Sequence, residues 1–277
     1  MPIDQKVEFL PLARLRAEAP AARSAYATAE PFPHVVLDGL FDPALLQDII
    51  REFPKADDVE WIKFKNVQEI KLASNRDEHF GTLTRHLLYY LNSGPFLSFL
   101  SEVTEIEGLI ADSYFDGGGM HQIERGGKLA VHADFNKHPM TGLDRRLNAL
   151  LYLNPDWQDD YGGHLELWNR DMTACVRKVA PLFNRMVVFG TTDYTNHGHP
   201  DPLCCPSGMT RKSLALYYFT NGRPAGEISG LHSTLFQPRP GEAFEPRQSR
   251  VKEIIKDILP PFVTRIIRKP VTRPKGR

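Results

Sequence analysis

The sequence predicts a mainly β fold with a few helices ahead of the strands, and three observations lead to that prediction. After about residue 109, short apolar runs alternate with Gly, Pro and Asp/Asn turns, which is the spacing of an all-β sandwich or barrel. No helix-length pattern interrupts these runs, which disfavours a parallel α/β sheet. Neither GxGxxG nor GxxxxGK[ST] occurs, so nucleotide-binding folds lose their main sequence support.

The N-terminal part of the chain predicts helices that precede the strands. Residues 1–30, rich in Ala and Arg, are expected to form a loosely ordered lead-in, and a short strand is expected at 35–37. Asp42 followed by Pro43 is typical of a helix start, because the aspartate can cap the first turn and the proline needs no hydrogen bond there. Apolar residues recur at helical spacing until Pro54. The same spacing predicts two further helices, at 83–91 and 96–103.

Seven short strands are expected in the β-rich part of the chain. Their bounds are 109–115, 128–134, 147–154, 164–168, 175–179, 185–189 and 213–219. They would form a core at 109–221, with 31–108 supplying a strand and supporting helices to the same domain. Residues 222–277 are Pro-rich and basic, and we expect a solvated extension with a short helix at 250–258. Contact of this extension with an acidic partner or a membrane surface is the less favoured interpretation.

Net charge and the lengths of the apolar runs disfavour several classes of function. The 277 residues carry 34 Lys+Arg and 34 Asp+Glu, so the formal net charge is 0. This balance disfavours a globally basic nucleic-acid binder, and no nucleic-acid partner is predicted. No apolar run approaches the roughly 18 residues of a membrane-spanning helix, and the N-terminus lacks the apolar segment of a signal peptide. We therefore predict neither a membrane span nor secretion.

The cysteines also bear on the compartment. The chain has three, Cys175, Cys204 and Cys205. An odd number with two adjacent members is not a disulfide framework, and the adjacent pair lacks the CxxC spacing of a metal or redox site. Ordinary thiols in a reducing cytoplasm are the prediction.

The histidines indicate where to look for metal-binding or catalytic residues, because six of the ten lie between residues 121 and 199. In a strand over 128–134, alternation puts His132 and Asp134 on one face. An imidazole and a carboxylate so placed can hold one metal ion, with a third ligand from His164, His197 or His199. Two histidines and a carboxylate form the facial triad of non-haem Fe(II) oxygenases.

That chemistry also needs a cation for the far carboxylate of a 2-oxo acid. Arg211 opens the last predicted strand, and Ser213 shares its face by the same alternation. An arginine fork pairs a carboxylate with two hydrogen bonds, and a nearby hydroxyl can add a third. Tyr152, inside another apolar strand, is a candidate for a phenol donor.

The order of these motifs resembles that of the 2-oxoglutarate/Fe(II)-dependent oxygenases, and within them the prolyl-4-hydroxylase-like branch. An H-x-D triplet is followed by a buried strand, a Gly-Gly pair, a strand ending in Val-Val-Phe, a histidine, and Arg-x-Ser before a last strand. The resemblance covers about residues 109–221. The segments that carry it are 132–134, 148–154, 156–157, 162–167, 187–189, 197–198 and 211–213.

The resemblance implies a double-stranded β-helix, a jelly-roll of eight strands with supporting helices, so that the chain is α+β overall but mainly β. It implies His132 and Asp134 as the first two iron ligands. In family members the second histidine follows the phenylalanine of the preceding strand by eight positions, and Phe189 plus eight gives His197 rather than His199. The residues implied to contact or line the co-substrate pocket are Arg211, Ser213, Tyr152 and Gln122.

The function implied by the resemblance is hydroxylation of an unactivated C–H bond with release of succinate and CO₂. Fe(II) is the implied metal, 2-oxoglutarate and O₂ are the co-substrates, and ascorbate is a supporting reductant. A prolyl residue is the favoured substrate, while a free amino acid, a natural product and a saccharide stay open. The oligomeric state is also left open.

Two other functions fit part of the pattern. A metal-dependent hydrolase could use the same three ligands for Zn²⁺, but it would need no arginine facing the metal. A non-catalytic jelly-roll binding module would keep only the scaffold, and the intact set of His132, Asp134, His197 and Arg211 counts against it. Release of succinate from 2-oxoglutarate would distinguish both from an oxygenase.

Three segments are candidates for shaping the substrate cleft. The loop after Asp134 and the loop between His197 and Arg211 are longer than in compact relatives, and both would rim the active site. The polar and aromatic segment 61–75 either helps to bind substrate or forms an exposed edge strand. The edge strand is the slightly preferred interpretation.

Overall fold

Residues 8–242, which this computed structural model describes, form four α-helices and one large β-sheet. The helices are α1 (Leu12–Thr28), α2 (Pro43–Glu52), α3 (Thr82–Leu91) and α4 (Gly94–Thr104). The strands are β1 (His34–Asp38), β2 (Ile62–Lys65), β3 (Glu69–Ser74), β4 (Ile110–Ala111), β5 (Gly119–Glu124), β6 (Lys128–Ala133), β7 (Asp144–Tyr152), β8 (Leu165–Trp168), β9 (Cys175–Val179), β10 (Arg185–Gly190), β11 (His197–His199), β12 (Thr210–Thr220) and β13 (Leu235–Phe236). The helix expected at 250–258 lies outside the described residues.

The strands pair in one continuous order, β1-β10-β7-β12-β5-β3-β6-β11-β8-β9. In addition, β2 pairs with β3, β4 with β12, and β13 with β6. Every pair is antiparallel. The sheet curls until β7 and β12 from one half and β6 and β11 from the other line the same cavity. This arrangement confirms the predicted mainly β, jelly-roll class.

The two faces of β7 show how the sheet separates its core from its cavity. Leu147, Ala149 and Leu151 are fully buried and belong to the core that the helices cover. Leu150, between them in sequence, points to the other face and lines the cavity. Each fully buried leucine contributes roughly 1.5–3 kcal/mol to folding. The helix-covered face of β7 therefore stabilises the strand, and the opposite face of β7 is available to line a site.

The helices follow the predicted starts and stops. At α2, the Asp42 carboxylate accepts a hydrogen bond from the Ala44 amide at 2.9 Å, and Pro43 occupies the first turn. Leu46 and Ile49 are completely buried on its inner face. The helices expected at 83–91 and 96–103 are α3 and α4. No helix among the described residues has both the length and the apolar character needed to cross a bilayer.

The prediction of a loosely ordered lead-in was wrong for most of residues 1–30. Seventeen of them form α1, which packs on α4 and β1. Leu15, Ala19 and Tyr26 provide its buried contacts. Alanine and arginine are good helix formers, but Pro20 and a weak separation of apolar and polar faces hid the helix.

Several strand boundaries also differ from the predicted ones. The strand expected at 109–115 shortens to β4 because the Asp112 carboxylate accepts hydrogen bonds from the Tyr114 and Asp116 amides and bends the chain into a turn. The strands β5, β11 and β13 were not predicted. The first begins in a glycine run and the other two are only three and two residues long, so none shows a clear apolar alternation.

The segment after β12 packs on the core rather than leaving it. Residues up to Glu242 belong to the same compact unit as the jelly-roll. Leu235 pairs with Ala133, and Phe236 pairs with His132, so β13 extends the sheet at β6. The expected boundary at residue 221 therefore does not mark the end of the packed domain, and the rest of the predicted extension, 243–277, lies outside the described residues.

Candidate active site

Three side chains meet where β6 and β11 pair. His132 and His197 are opposite each other in the β6–β11 ladder, and Asp134 follows β6 directly. Nε2 of His132 lies 3.7 Å from Asp134 Oδ1, and Nε2 of His197 lies 3.5 Å from Oδ2. Ligand atoms of all three residues lie within 4.8 Å of one another, which makes them the one group of this kind in residues 8–242. The sequence predicted this set, and the fold brings it together.

Both imidazole rings are held so that the same nitrogen faces the centre of the group. Nδ1 of His132 is 2.9 Å from the Ala130 carbonyl oxygen, and Nδ1 of His197 is 2.9 Å from that of Thr195. A carbonyl oxygen only accepts, so each Nδ1 carries the proton and each Nε2 lone pair remains for a cation. Burial is the main cause that lowers the pKa of His197 to about 4, which keeps that ring neutral. Two neutral imidazoles and a carboxylate fit a divalent transition metal.

A glycine allows the two ligand strands to come this close. A Cβ on Gly198 would lie 2.8 Å from the backbone oxygen of Leu129 and 2.9 Å from that of Ala130. Any other residue would push β11 away from β6. The packing of the site therefore requires glycine between the two histidines of β11.

Asp134 is oriented by a network that the sequence did not reveal. Asn148 donates from Nδ2 to Asp134 Oδ2 at 2.8 Å, and Arg145 Nη2 lies 3.3 Å from Oδ1. Arg145 also donates from Nε and Nη2 to Asn148 Oδ1, at 3.0 and 2.7 Å. Although burial alone would raise it, the charge of Arg145 holds the pKa of Asp134 well below its ordinary range.

Arg145 is itself fixed by aromatic rings. Its guanidinium carbon lies 3.5 Å from the centre of the Tyr217 ring and 4.4 Å from that of Phe135. The Tyr217 hydroxyl donates to the Gly117 carbonyl at 2.9 Å. A cation close to aromatic rings is stabilised by the negative ring faces, so the two rings help to orient this guanidinium beside Asp134.

A cavity of about 270 Å³ connects the His–Asp–His group to Arg211. Arg211 is buried, donates from Nε to the Gly163 carbonyl at 2.8 Å, and donates from Nη2 to the Tyr152 hydroxyl at 3.3 Å. Gly163 has φ +70°, and a Cβ there would lie 2.6 Å from Leu203 Cδ2 and 3.0 Å from Arg211 Cδ. The second glycine of the Gly-Gly motif thus makes room for both side chains. Ser213 lines the same cavity.

The other site residues considered from the sequence lie at different places relative to the cavity. Tyr152 is completely buried, and its contact is with Arg211. His164 faces Asp159 at the surface, with Nε2 2.8 Å from Oδ1, and lies outside the cavity lining. His199 is buried in the lining of the cavity and belongs to no metal-ligand group formed by residues 8–242.

The expectation for Gln122 is corrected by the structure. His121 and Ile123 of β5 face the cavity, so Gln122, between them, points to the opposite face. Its Oε1 accepts a hydrogen bond from Thr210 Oγ1 at 3.1 Å, and it lines a separate surface groove. The sequence could not fix which face of β5 is inward.

The segment 61–75 forms the β2–β3 hairpin. Its outer strand, β2, pairs only with β3 in the described structure, as expected of an edge strand. The hairpin also supplies one wall of the cavity, through Ile62, Phe64, Glu69, Lys71, Ala73 and Asn75. The two interpretations of this segment are therefore both compatible with its position.

Comparisons with known proteins agree with this geometry. Residues 118–219 match the model of the family described as the 2OG-Fe(II) oxygenase superfamily. No curated protein matches the sequence. A prolyl-4-hydroxylase from Pseudomonas putida is similar in structure, with a TM-score of 0.52, 17% identity, and coverage of 74% of this chain and 100% of that one. A prolyl hydroxylase from Trichoplax adhaerens, in complex with a hypoxia inducible factor oxygen degradation domain peptide fragment, has a TM-score of 0.50, 18% identity, and coverage of 75% and 90%. At these identities the similarity is one of fold.

Proposed function

Through residues 118–219 the chain belongs to the 2OG-Fe(II) oxygenase superfamily, and from that premise we propose that it hydroxylates an unactivated C–H bond. The observation that carries the proposal is the 270 Å³ cavity with a His–Asp–His group and a buried arginine in its wall. A metal-dependent hydrolase would have no use for the arginine. A binding module would have no reason to keep the Nε2 lone pairs of both histidines free.

One set of residues would bind the metal and another would bind the co-substrate. His132, Asp134 and His197 would hold Fe(II), with Asn148 and Arg145 orienting the carboxylate. Arg211, with Ser213 beside it, would receive the distal carboxylate of 2-oxoglutarate, and Tyr152 would hold the guanidinium in place. When bound, Fe(II), 2-oxoglutarate and O₂ supply the oxidising chemistry, releasing succinate and CO₂. The protein supplies orientation and a largely buried pocket.

For the substrate we propose a prolyl residue of a peptide. The fold similarity to two prolyl hydroxylases supports this choice. The cavity wall that the β2–β3 hairpin supplies also carries apolar side chains, Ile62 and Phe64, together with the paired charges of Glu69 and Lys71. A free amino acid, a natural product or a saccharide would be the alternative for the same chemistry.

We also propose a cytoplasmic location. The support is that all three cysteines are free thiols, with Cys204 exposed and Cys205 buried. A reducing compartment preserves such thiols.

The test is succinate formation by the Fe(II)-loaded protein with 2-oxoglutarate and O₂, first alone and then with a panel of prolyl peptides, amino acids and saccharides. His132→Ala should abolish iron binding, and Arg211→Ala should retain iron while requiring much more 2-oxoglutarate. No succinate, coupled or uncoupled, from protein with confirmed bound iron would overturn the proposal. Hydrolysis by a Zn²⁺-loaded form without 2-oxoglutarate would favour the hydrolase.

A further inference from the structure

His199 is the buried histidine of this site whose ring has no partner. Only 4% of the residue is exposed, and neither Nδ1 nor Nε2 has a hydrogen-bond partner among the described residues. The other buried histidines differ: His34, His132 and His197 each place Nδ1 2.9 Å from a carbonyl oxygen, and His138 places Nε2 3.2 Å from Asp112 Oδ1. Because nearly all buried polar groups in proteins are paired, an imidazole left in this state is evidence that a ligand completes its hydrogen bonding.

The position of the ring indicates which ligand. His199 lies two residues after His197 on β11, with a register shift between them in the β6–β11 ladder. It lines the same cavity as His132, His197 and Arg211. It does not belong to the group that can hold the metal. A molecule that fills the cavity between the His–Asp–His group and Arg211 would therefore share its lining with His199.

The chemistry of the cavity wall around His199 favours an anion. Among the Lys and Arg side chains, Arg211 acts most strongly on its ring, ahead of Lys71, which is paired with Glu69. Ser213 adds a hydroxyl to the same lining. An imidazole in either neutral tautomer offers one N–H donor. Arginine, hydroxyl and imidazole donors around one cavity fit a carboxylate, whose two oxygens accept several hydrogen bonds.

We propose that His199 donates a hydrogen bond to the distal carboxylate of 2-oxoglutarate, beside Arg211 and Ser213, and so makes the site selective for a 2-oxo dicarboxylic acid. The inference rests on the proposed function. It assigns to His199 a binding role, which separates it from His197 on the same short strand.

The experiment compares two ligands that differ in the distal carboxylate. Each ligand, 2-oxoglutarate or 2-oxopentanoate, which lacks that carboxylate, is titrated into Fe(II)-loaded protein without O₂. Binding is measured by calorimetry and by the visible charge-transfer absorption. His199→Leu should weaken 2-oxoglutarate roughly 10- to 100-fold, as expected for one charge-assisted hydrogen bond. It should change 2-oxopentanoate less than about twofold. His199→Asn, which retains an N–H donor, should recover part of the loss.

A matched control is His121→Leu, on the same cavity wall. Nε2 of His121 is already 3.0 Å from the Gly117 carbonyl oxygen, so its loss should leave the ratio of the two ligand affinities unchanged. An equal loss for both ligands, no loss at all, or the same selectivity change in the control would overturn the assignment. Loss of iron from His199→Leu would instead point to a ligand role and would also overturn it. Failure of the wild-type protein, with iron bound, to bind 2-oxoglutarate would overturn the proposed function itself.

Discussion

Replacing Asn148 with alanine should weaken metal binding although the side chain is not a metal ligand. Asn148 donates to Asp134 Oδ2 at 2.8 Å and accepts two hydrogen bonds from Arg145. In Asn148→Ala, the 3.3 Å contact with Arg145 is, in the described part of the chain, the carboxylate's one remaining contact besides the two ligand histidines, and the arginine loses the acceptor that aims it. Asp134 should then rotate among several orientations, of which only some present an oxygen to the metal.

The size of the effect follows from the bond that is lost. A hydrogen bond to a charged group contributes about 1.5–3 kcal/mol, which corresponds to roughly 10- to 150-fold in a dissociation constant. Residues that orient metal ligands usually contribute about 10- to 100-fold in affinity. We therefore expect the dissociation constant for Mn²⁺, used as an O₂-stable substitute for Fe(II), to rise between tenfold and one hundredfold.

Calorimetric titration of Mn²⁺ measures this change, with Asn154→Ala as the matched control. Asn154 is also a buried asparagine at the end of β7, but it bonds to the Pro181 carbonyl and to the backbone of Lys212. Both variants should lose some thermal stability, whereas only Asn148→Ala should lose metal affinity. Wild-type affinity in Asn148→Ala, or the same loss in both variants, would refute the idea that Asn148 positions Asp134.

Three further outcomes follow from the structure. Gly163→Ala strains a residue with φ +70° and places a Cβ 2.6 Å from Leu203 Cδ2 and 3.0 Å from Arg211 Cδ, so the dissociation constant for 2-oxoglutarate should rise about tenfold while that for Mn²⁺ changes little; a larger loss for Mn²⁺ would contradict this. Gly198→Ala places a Cβ 2.8 Å from a backbone oxygen of β6, so Mn²⁺ binding should fall most, and unchanged titrations would count against the required close approach. Burial lowers the pKa of His121 to about 3 and that of His197 to about 4, from 6.5. Because the unfolded chain then binds more protons, the chelator-treated protein should lose stability as pH falls from about 6.5 to 4, and equal melting temperatures at pH 7 and pH 5 would contradict that.

Short-range alternation explains what the sequence could predict of the site. His132 and Asp134 are two residues apart at one strand end, and Arg211 and Ser213 are two apart in another strand. A period of two puts each pair on one face without knowledge of the fold. The choice of His197 over His199 came from the family spacing, since alternation gives both residues the same face.

Longer-range features could not be predicted in the same way. Arg145 and Asn148 are three residues apart and should face opposite sides of a regular strand. A register shift in the β12–β7 ladder pairs Phe219 with Arg145 and Tyr218 with Leu147, so β7 carries one extra residue there. This bulge brings Arg145 and Asn148 together. For Gln122, the starting phase of β5 depends on tertiary pairing with β12, which no local pattern reveals.

The short strand β13 limits how far the chain can be truncated from its C-terminal side. The Gln237 amide donates to the Val131 carbonyl at 2.8 Å, and the Phe236 ring lies 5.7 Å from that of His132. A chain shortened to residue 221 would contain every proposed ligand of iron and 2-oxoglutarate, yet one side of β6 would present unpaired backbone groups to solvent. Such an open strand is a template for pairing between molecules. Recombinant forms that end at residue 221 should therefore aggregate, and truncations intended to remain active should retain residues through at least Gln237.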